Sequence, residues 1–277
     1  MNKKNSLIQK LCAAPHVVWA AIFIVVPLAM VVYYAFTDSS GSFSMVNIER
    51  LGDYTTTFLR SIWLGIVATL ICLVIAYPLA YIISQSKLRV QSTMVMLVMI
   101  PMWMNFLLRT YSWMTLLEDS GVINTLLGYI GIGPFKMINT QGAVVLGMVY
   151  NFLPFMVLPI YSVMVKLDKS LIEAAQDLGA NKLHVFSKVI LPSTVSGVVS
   201  GITMVFVPSV STFYISQKLG GGNVVLIGDI IEMQFQVSNN FNFGAALSLV
   251  LMILILLCMA VMNKFGDPDE PAGGKVL

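Results

Sequence analysis

Glu173-Ala-Ala-Gln-Asp-Leu-Gly179-Ala-Asn-Lys-Leu-His-Val-Phe-Ser-Lys-Val189-Ile-Leu-Pro192 is a polar, charged stretch set between two long apolar runs. Its residues read as two short helices broken at Gly179. Ser170 is placed to cap the first, and Glu173 three residues on completes a capping box. Leu171, Ala174, Ala175 and Leu178 recur at i, i+3, i+4 and i+7, a narrow apolar stripe with a small-residue centre. Gly179 suits the left-handed position that ends a helix, and Asn181 is suited to start the next. Such a helix has nothing in its own loop to bury against, so its stripe calls for a groove on a partner.

Outward from this loop the chain is apolar. Hydrophobic residues make up 57% of the sequence and charged ones 10%, with a mean hydropathy of +0.85. A water-soluble domain of this length has too little interior for that much apolar surface, so lipid is the solvent for most of it. The small formal charge of +3 comes with no basic block, which argues against nucleic acid as a partner. Cys12, Cys72 and Cys258 stand singly, and His16 and His184 lack ligand-like neighbours, so neither a disulfide nor a metal site is expected.

Six apolar stretches, about 13–36, 61–83, 90–108, 141–165, 190–217 and 241–262, reach spanning length. The first follows Lys3, Lys4 and Lys10 and is too long for a cleaved signal, so it reads as a retained helix. The segments between spans sort the cations 11 against 5, with Lys87, Arg89, Lys166, Lys169, Lys182, Lys188, Lys264 and Lys275 joining the first three. By the positive-inside rule both termini and the Glu173 loop are cytoplasmic. The expected organisation is a cytoplasmic 1–12, a six-helix membrane domain over 13–262 with a loop at about 166–189, and a disordered tail over 263–277. Arg109 falls at the far end of the third span, where a snorkelling side chain beside Tyr111 and Trp113 is expected. Residues 122–130 read as a short helix in an extracytoplasmic segment.

Proline recurs in the first five spans as Pro27, Pro78, Pro101, Pro154 with Pro159, and Pro208. Each removes a backbone donor and invites a kink, which suits a bundle around an internal path better than inert anchors. Ser209, Phe213 and Tyr214 follow Pro208, while Gly197 and Gly201 form a small face for close helix packing. All 13 acidic residues lie outside the six runs, and no Walker A, GxSxG or HExxH pattern occurs. The chain is therefore expected to have no catalytic site and no cofactor. A proton- or sodium-driven carrier usually keeps ionisable groups at membrane depth. Energy is thus expected from outside the chain, through the Glu173 loop. A carrier with a sodium site made of carbonyls and hydroxyls near Pro208 is the alternative.

Glu173, Ala174, Ala175, Gly179, Leu191 and Pro192 match in spacing the signature that this stretch resembles, the EAA loop of permeases in binding-protein-dependent ABC importers. Val189 stands where isoleucine is usual. The resemblance implies an all-α integral membrane protein with the type I importer permease fold, six transmembrane helices and both termini cytoplasmic. It implies that Glu173, Ala174, Ala175, Leu178, Gly179 and Pro192 couple the chain to a cytoplasmic ATP-binding subunit. It further implies two copies of that ATPase, a second homologous permease and an extracytoplasmic binding protein, in a bacterial cell membrane.

Ala76-Tyr-Pro-Leu-Ala-Tyr81, Ile100-Pro-Met-Trp-Met-Asn-Phe-Leu-Leu-Arg-Thr-Tyr111 and Leu153-Pro-Phe-Met-Val-Leu-Pro-Ile-Tyr161 are similar to the polyamine branch of that family. This implies spermidine and putrescine as cargo and a polyamine-binding protein as donor. Aromatic faces attract ammonium groups by about 0.5–2 kcal/mol per contact. Trp103, Tyr111, Trp113, Pro208, Ser209, Phe213 and Tyr214 are the residues expected along the pathway; core or interfacial packing is the other role open to each.

Overall fold

The computed structural model describes residues 15–38 and 40–265, and among these every regular element is helical apart from one isolated bridge, Thr37 to Phe43. The expectations for residues 1–12, including Cys12, and for the tail beyond 265 lie outside the described residues. The chain divides into two compact units, Met1–Thr55 with Ile230–Ile253, and Thr56–Asp229 with Leu254–Leu277.

The larger unit is built on α2 (Thr55–Gln85), α6 (Gln141–Met164) and α9 (Val195–Ser211). Helix α2 sorts its residues by size rather than polarity. Ala68, Cys72, Ala76 and Ala80 recur every four residues and are fully buried, whereas Leu59, Trp63, Ile66, Leu70 and Val74 are exposed. In lipid no hydrophobic force drives one apolar helix onto another, so association rests on how closely backbones approach. The alanine column allows that approach, and the Cys72 thiol donates to the Val149 carbonyl of α6 at 3.8 Å. The bulky opposite face is left for the acyl chains. On α9 the glycines do the same. A methyl group at Gly201 would lie 2.7 Å from the Met156 sulfur, and one at Gly197 2.9 Å from the Pro159 carbonyl oxygen.

Around this frame lie α3 (Leu88–Trp103), α4 (Phe106–Leu117), α5 (Val122–Tyr129), α7 (Lys169–Asp177), α8 (Lys182–Ser193) and α10 (Tyr214–Gly220). Helix α5 falls where the sequence predicts it. The third and fifth apolar runs are not continuous spans. The axis turns by 88° between Leu88–Trp103 and Phe106–Tyr129, and by 63° between Lys182–Ser193 and Val195–Ser211. Pro101 weakens the end of α3, and the Asn105 side chain then accepts the Leu107 N–H at 2.8 Å and restarts the chain as α4. Helix α9 carries Pro208 and ends at Ser211, with Thr212 extended before α10 begins. By length and composition four helices can cross a membrane singly, and six spans result when each bent pair counts as one.

Two other prolines are absorbed differently. Pro27 and Pro192 each follow a five-residue π-turn, Ala21–Val25 and Phe186–Ile190. A proline ring crowds the carbonyl four residues back, and a widened turn upstream makes room for it.

The smaller unit contains α1 (Pro15–Ala35), the end of α11 (Ile227–Gln236) and the first part of α12 (Phe241–Phe265). Its core is Ala35, Ala245, Ala246 and Leu249. Asn242 locks the end of α1 by donating to the Thr37 carbonyl at 2.8 Å, and Asn47 donates to the same carbonyl at 2.9 Å. The most apolar window of α1 is 0% buried. A helix that apolar on every side is stable in lipid and insoluble in water, so the protein is a multi-pass membrane protein.

Candidate functional site

Helix α7 is capped at both ends, though not as the sequence predicts at the first. Asp168, not Ser170, is the N-cap: its Oδ1 accepts the Ser170 N–H at 2.9 Å. A carboxylate both satisfies an orphan amide and meets the positive end of the helix, so it displaces the serine, which becomes a helical residue and forms no capping box with Glu173. The same hydrogen bond holds the Asp168 carboxyl below its ordinary range. At the other end Gly179 takes φ +83°, as predicted. Its N–H donates to Gln176 O at 2.8 Å and that of Ala180 to Ala175 O at 3.0 Å, the two bonds of a Schellman ending. Asn181 caps α8, its side chain accepting the His184 N–H at 2.8 Å.

The capped helix presents Leu171 and Ala174 outward, and Leu178 is 90% exposed. Glu173 and Pro192 are exposed too, and Ala175 is half-buried. On the other face Ile172 lies in a small crevice with Tyr81, Ser84, Met164, Leu167 and Ile190. Helix α8 is anchored firmly. Val185 and Ile190 are buried, and the Phe186 ring meets Tyr77 at 5.6 Å and Tyr81 at 6.4 Å, both edge-on. Tyr77 and Thr194 share a 2.9 Å hydrogen bond between hydroxyls, and Thr194 Oγ1 donates to the Ile190 carbonyl, so the phenol is the donor. An exposed leucine surface is thus joined by a saturated joint to the start of α9.

The other end of α9 gathers some of the predicted pathway residues and separates others. Tyr214, the first residue of α10, packs its ring 5.7 Å from Phe106, the first residue of α4, and 6.4 Å from Tyr111. The two helix breaks therefore meet. Tyr111 and Phe213 are about two-fifths exposed, and Trp103, ending α3, is 70% exposed. Trp113 turns away into the core and meets Tyr150 edge-on at 5.4 Å. Ser209 is fully buried and donates to the Val205 carbonyl at 2.7 Å, while Pro208 is half-buried within α9. Half-buried Trp113 thus packs on Tyr150, and the Ser209 hydroxyl is paired within its own helix.

Two residues of this region were not expected from sequence. Lys218 places its ammonium 5.4 Å from the Tyr111 ring centroid and 5.7 Å from that of Tyr214. Its spacing of four from Tyr214 on a helix was the available signal. Arg109 does not snorkel: it is 8% exposed, and its Nε and Nη1 are buried without a hydrogen-bond partner. The chain turns by 88° before α4, and the face carrying Arg109, Thr110 and Leu117 is the buried one.

Comparison with known proteins places these features in context. A family model described as "Binding-protein-dependent transport system inner membrane component" matches residues 78–269. The spermidine/putrescine transport system permease protein PotB of Haemophilus influenzae is 37% identical over 253 residues, 88% of each chain. Its Escherichia coli K12 counterpart is 37% identical over 82% of this chain and 86% of its own. Among solved structures, a bacterial ABC transporter involved in alginate import superposes with a TM-score of 0.76 at 15% identity, over 94% of this chain and 95% of that one. The MetNI methionine ABC transporter gives 0.54 at 19% identity over 76% and 92%. At these identities the structures speak to fold alone.

Proposed function

The chain belongs to the binding-protein-dependent transport system inner membrane components, and from that premise we propose that it carries spermidine and putrescine across a bacterial inner membrane. It is a permease subunit of an ABC importer, and ATP hydrolysis belongs to a partner. The observation that carries the polyamine reading is its 35–37% identity, over most of both chains, to proteins named as spermidine/putrescine permeases. The proposed assembly adds a second homologous permease, two cytoplasmic ATP-binding subunits and an extracytoplasmic polyamine-binding protein. Six spans result with each bent pair counted once. The distribution of cations, 11 against 5, supports cytoplasmic termini and a cytoplasmic loop at 166–189.

In this reading α7 docks in a groove of the ATPase, with Leu171, Ala174 and Leu178 as the buried stripe and Glu173 at its edge. The Schellman ending at Gly179 and the cap at Asp168 keep the helix rigid, so a push on it is delivered rather than absorbed. Force passes through Phe186, Tyr77 and Thr194 into α9. Movement of α9 then repositions Phe213 and Tyr214 against Tyr111 and Trp103, which line the path. Aromatic faces bind each ammonium by about 0.5–2 kcal/mol. With no carboxylate in the apolar runs, no deep well holds the cation, and tight capture is left to the binding protein.

The test is to purify the chain from its native membrane in mild detergent, identify what accompanies it, and assay ATPase activity. Co-purification of an ATPase and a second permease, stimulated by binding protein loaded with spermidine or putrescine, is the expected result. Stimulation by a different solute alone would overturn the polyamine assignment and leave the importer.

A further inference from the structure

We propose that Lys218 is a tethered competitor for the substrate's ammonium group, filling the Tyr111–Tyr214 subsite until a polyamine ammonium displaces it. The inference rests on the polyamine reading above and adds a residue and a role that the reading does not contain. The lysine side chain is a butylammonium, which is the end group of putrescine. Its Nζ lies 5.4 and 5.7 Å from the two ring centroids, within the range at which a ring quadrupole holds a cation, and it also engages the Tyr111 hydroxyl. The rings stand edge-on to each other at 82°, and Phe106 backs Tyr214 at 5.7 Å. Tyr111 is 41% exposed while Tyr214 and Lys218 are half-buried, so the subsite is open to an incoming molecule.

The arrangement follows from the helix breaks. Tyr214 and Lys218 are one turn apart on α10, and Tyr111 comes from α4, whose start meets that of α10. Two ammonium groups cannot share one ring pair, because their charges repel at that separation. A polyamine therefore binds only as the lysine swings out on its flexible stem. When the substrate moves on, the tethered ammonium returns and closes the subsite. The pathway is thus self-clearing: the same interaction that recognises the cargo also limits how tightly it is held.

The assay is radiolabelled spermidine binding to the complete transporter in nanodiscs, without the binding protein. Lys218→Met is expected to bind about 3- to 30-fold more tightly, the span that one cation–π contact covers. Lys218→Arg, which keeps a cation over the rings, should stay within about twofold of wild type. Adding Tyr214→Leu to Lys218→Met should abolish the gain. Lys218→Gln replaces the methionine variant if that one fails to assemble. A lysine that only packs or solubilises the helix would leave the neutral variants equal to wild type or weaker, and that result overturns the assignment. If wild-type ATPase is stimulated by neither loaded polyamine, the functional reading falls and this inference falls with it. Polyamine stimulation with no tightening in the neutral variants would remove this inference alone.

Discussion

The two ends of α9 are aromatic joints made from similar residues, and they differ in exposure and in the charge they hold. At the α8 end, Phe186 is wedged edge-on between Tyr77 and Tyr81, and the Tyr77 phenol and Thr194 hydroxyl each have a partner. At the α10 end, Tyr111 and Phe213 are exposed, and the rings of Tyr111 and Tyr214, with the Tyr111 hydroxyl, hold the Lys218 ammonium. Saturated groups cost free energy to separate, which suits the first joint to the transmitting role proposed for it. The second is more open and already holds a cation, which suits it to the substrate-binding role proposed for it. The lesson is that ring content alone does not set the character of an aromatic joint; exposure and the charge packed against the rings do.

The comparison is broken most severely by cutting the input to the rigid joint. Gly179→Asp forces a left-handed conformation on a side-chain-bearing residue and places a carboxylate at the negative end of α7. Uptake and coupled ATPase activity should fall by at least about tenfold while the protein remains in the membrane; normal uptake at equal expression would refute the docking role. Phe186→Ala comes next. It should cost about 1–3 kcal/mol, the lower part of the range for a large-to-small change because the ring is half-buried. Thermal unfolding in detergent would measure it, and uptake should drop with stability.

Tyr214→Leu tests the open joint and should show the opposite balance. Maximal uptake is expected to fall several-fold with unfolding temperature and capture by the binding protein unchanged. Equal maximal uptake would remove Tyr214 from the pathway. The smallest effect belongs to Asp168. Its carboxyl is held below the ordinary range by the Ser170 N–H, so the cap stabilises α7 above the unfolded value, about 3.9, and is lost as pH falls through the lower folded value. Asp168→Ala should speed hydrogen exchange in the first turn of α7 at neutral pH, whereas wild type should do so only in acid.

Much of this was legible in the sequence because local rules governed it. The left-handed Gly179, the Asn181 cap, the Val122–Tyr129 helix and the Gly197/Gly201 face each depend on a few neighbouring residues. The Asp168 cap was missed at short range, because a serine with glutamate three residues on competes with an aspartate two residues earlier. Burial strengthened neither; the carboxylate's charge decided. Arg109 was misplaced for another reason. Counting residues from the basic end of a span assumes a straight helix, and the break at Met104–Asn105 removes that premise.

The sequence by itself determined that the chain lives in lipid, which segments are apolar enough to cross it, and that a capped helix with an unpartnered stripe interrupts them. Composition, periodicity and capping chemistry act within one helix length and need no third dimension. Only the tertiary structure decided that Tyr111 and Tyr214 meet while Trp113 turns to Tyr150, that the alanine column of α2 faces α6, and that Lys218 rests on two rings from different helices. In a chain where nearly every face is apolar, hydrophobicity no longer says which side is inside. Side-chain size and the angles of the helix breaks make that choice, and those are settled only when the helices pack.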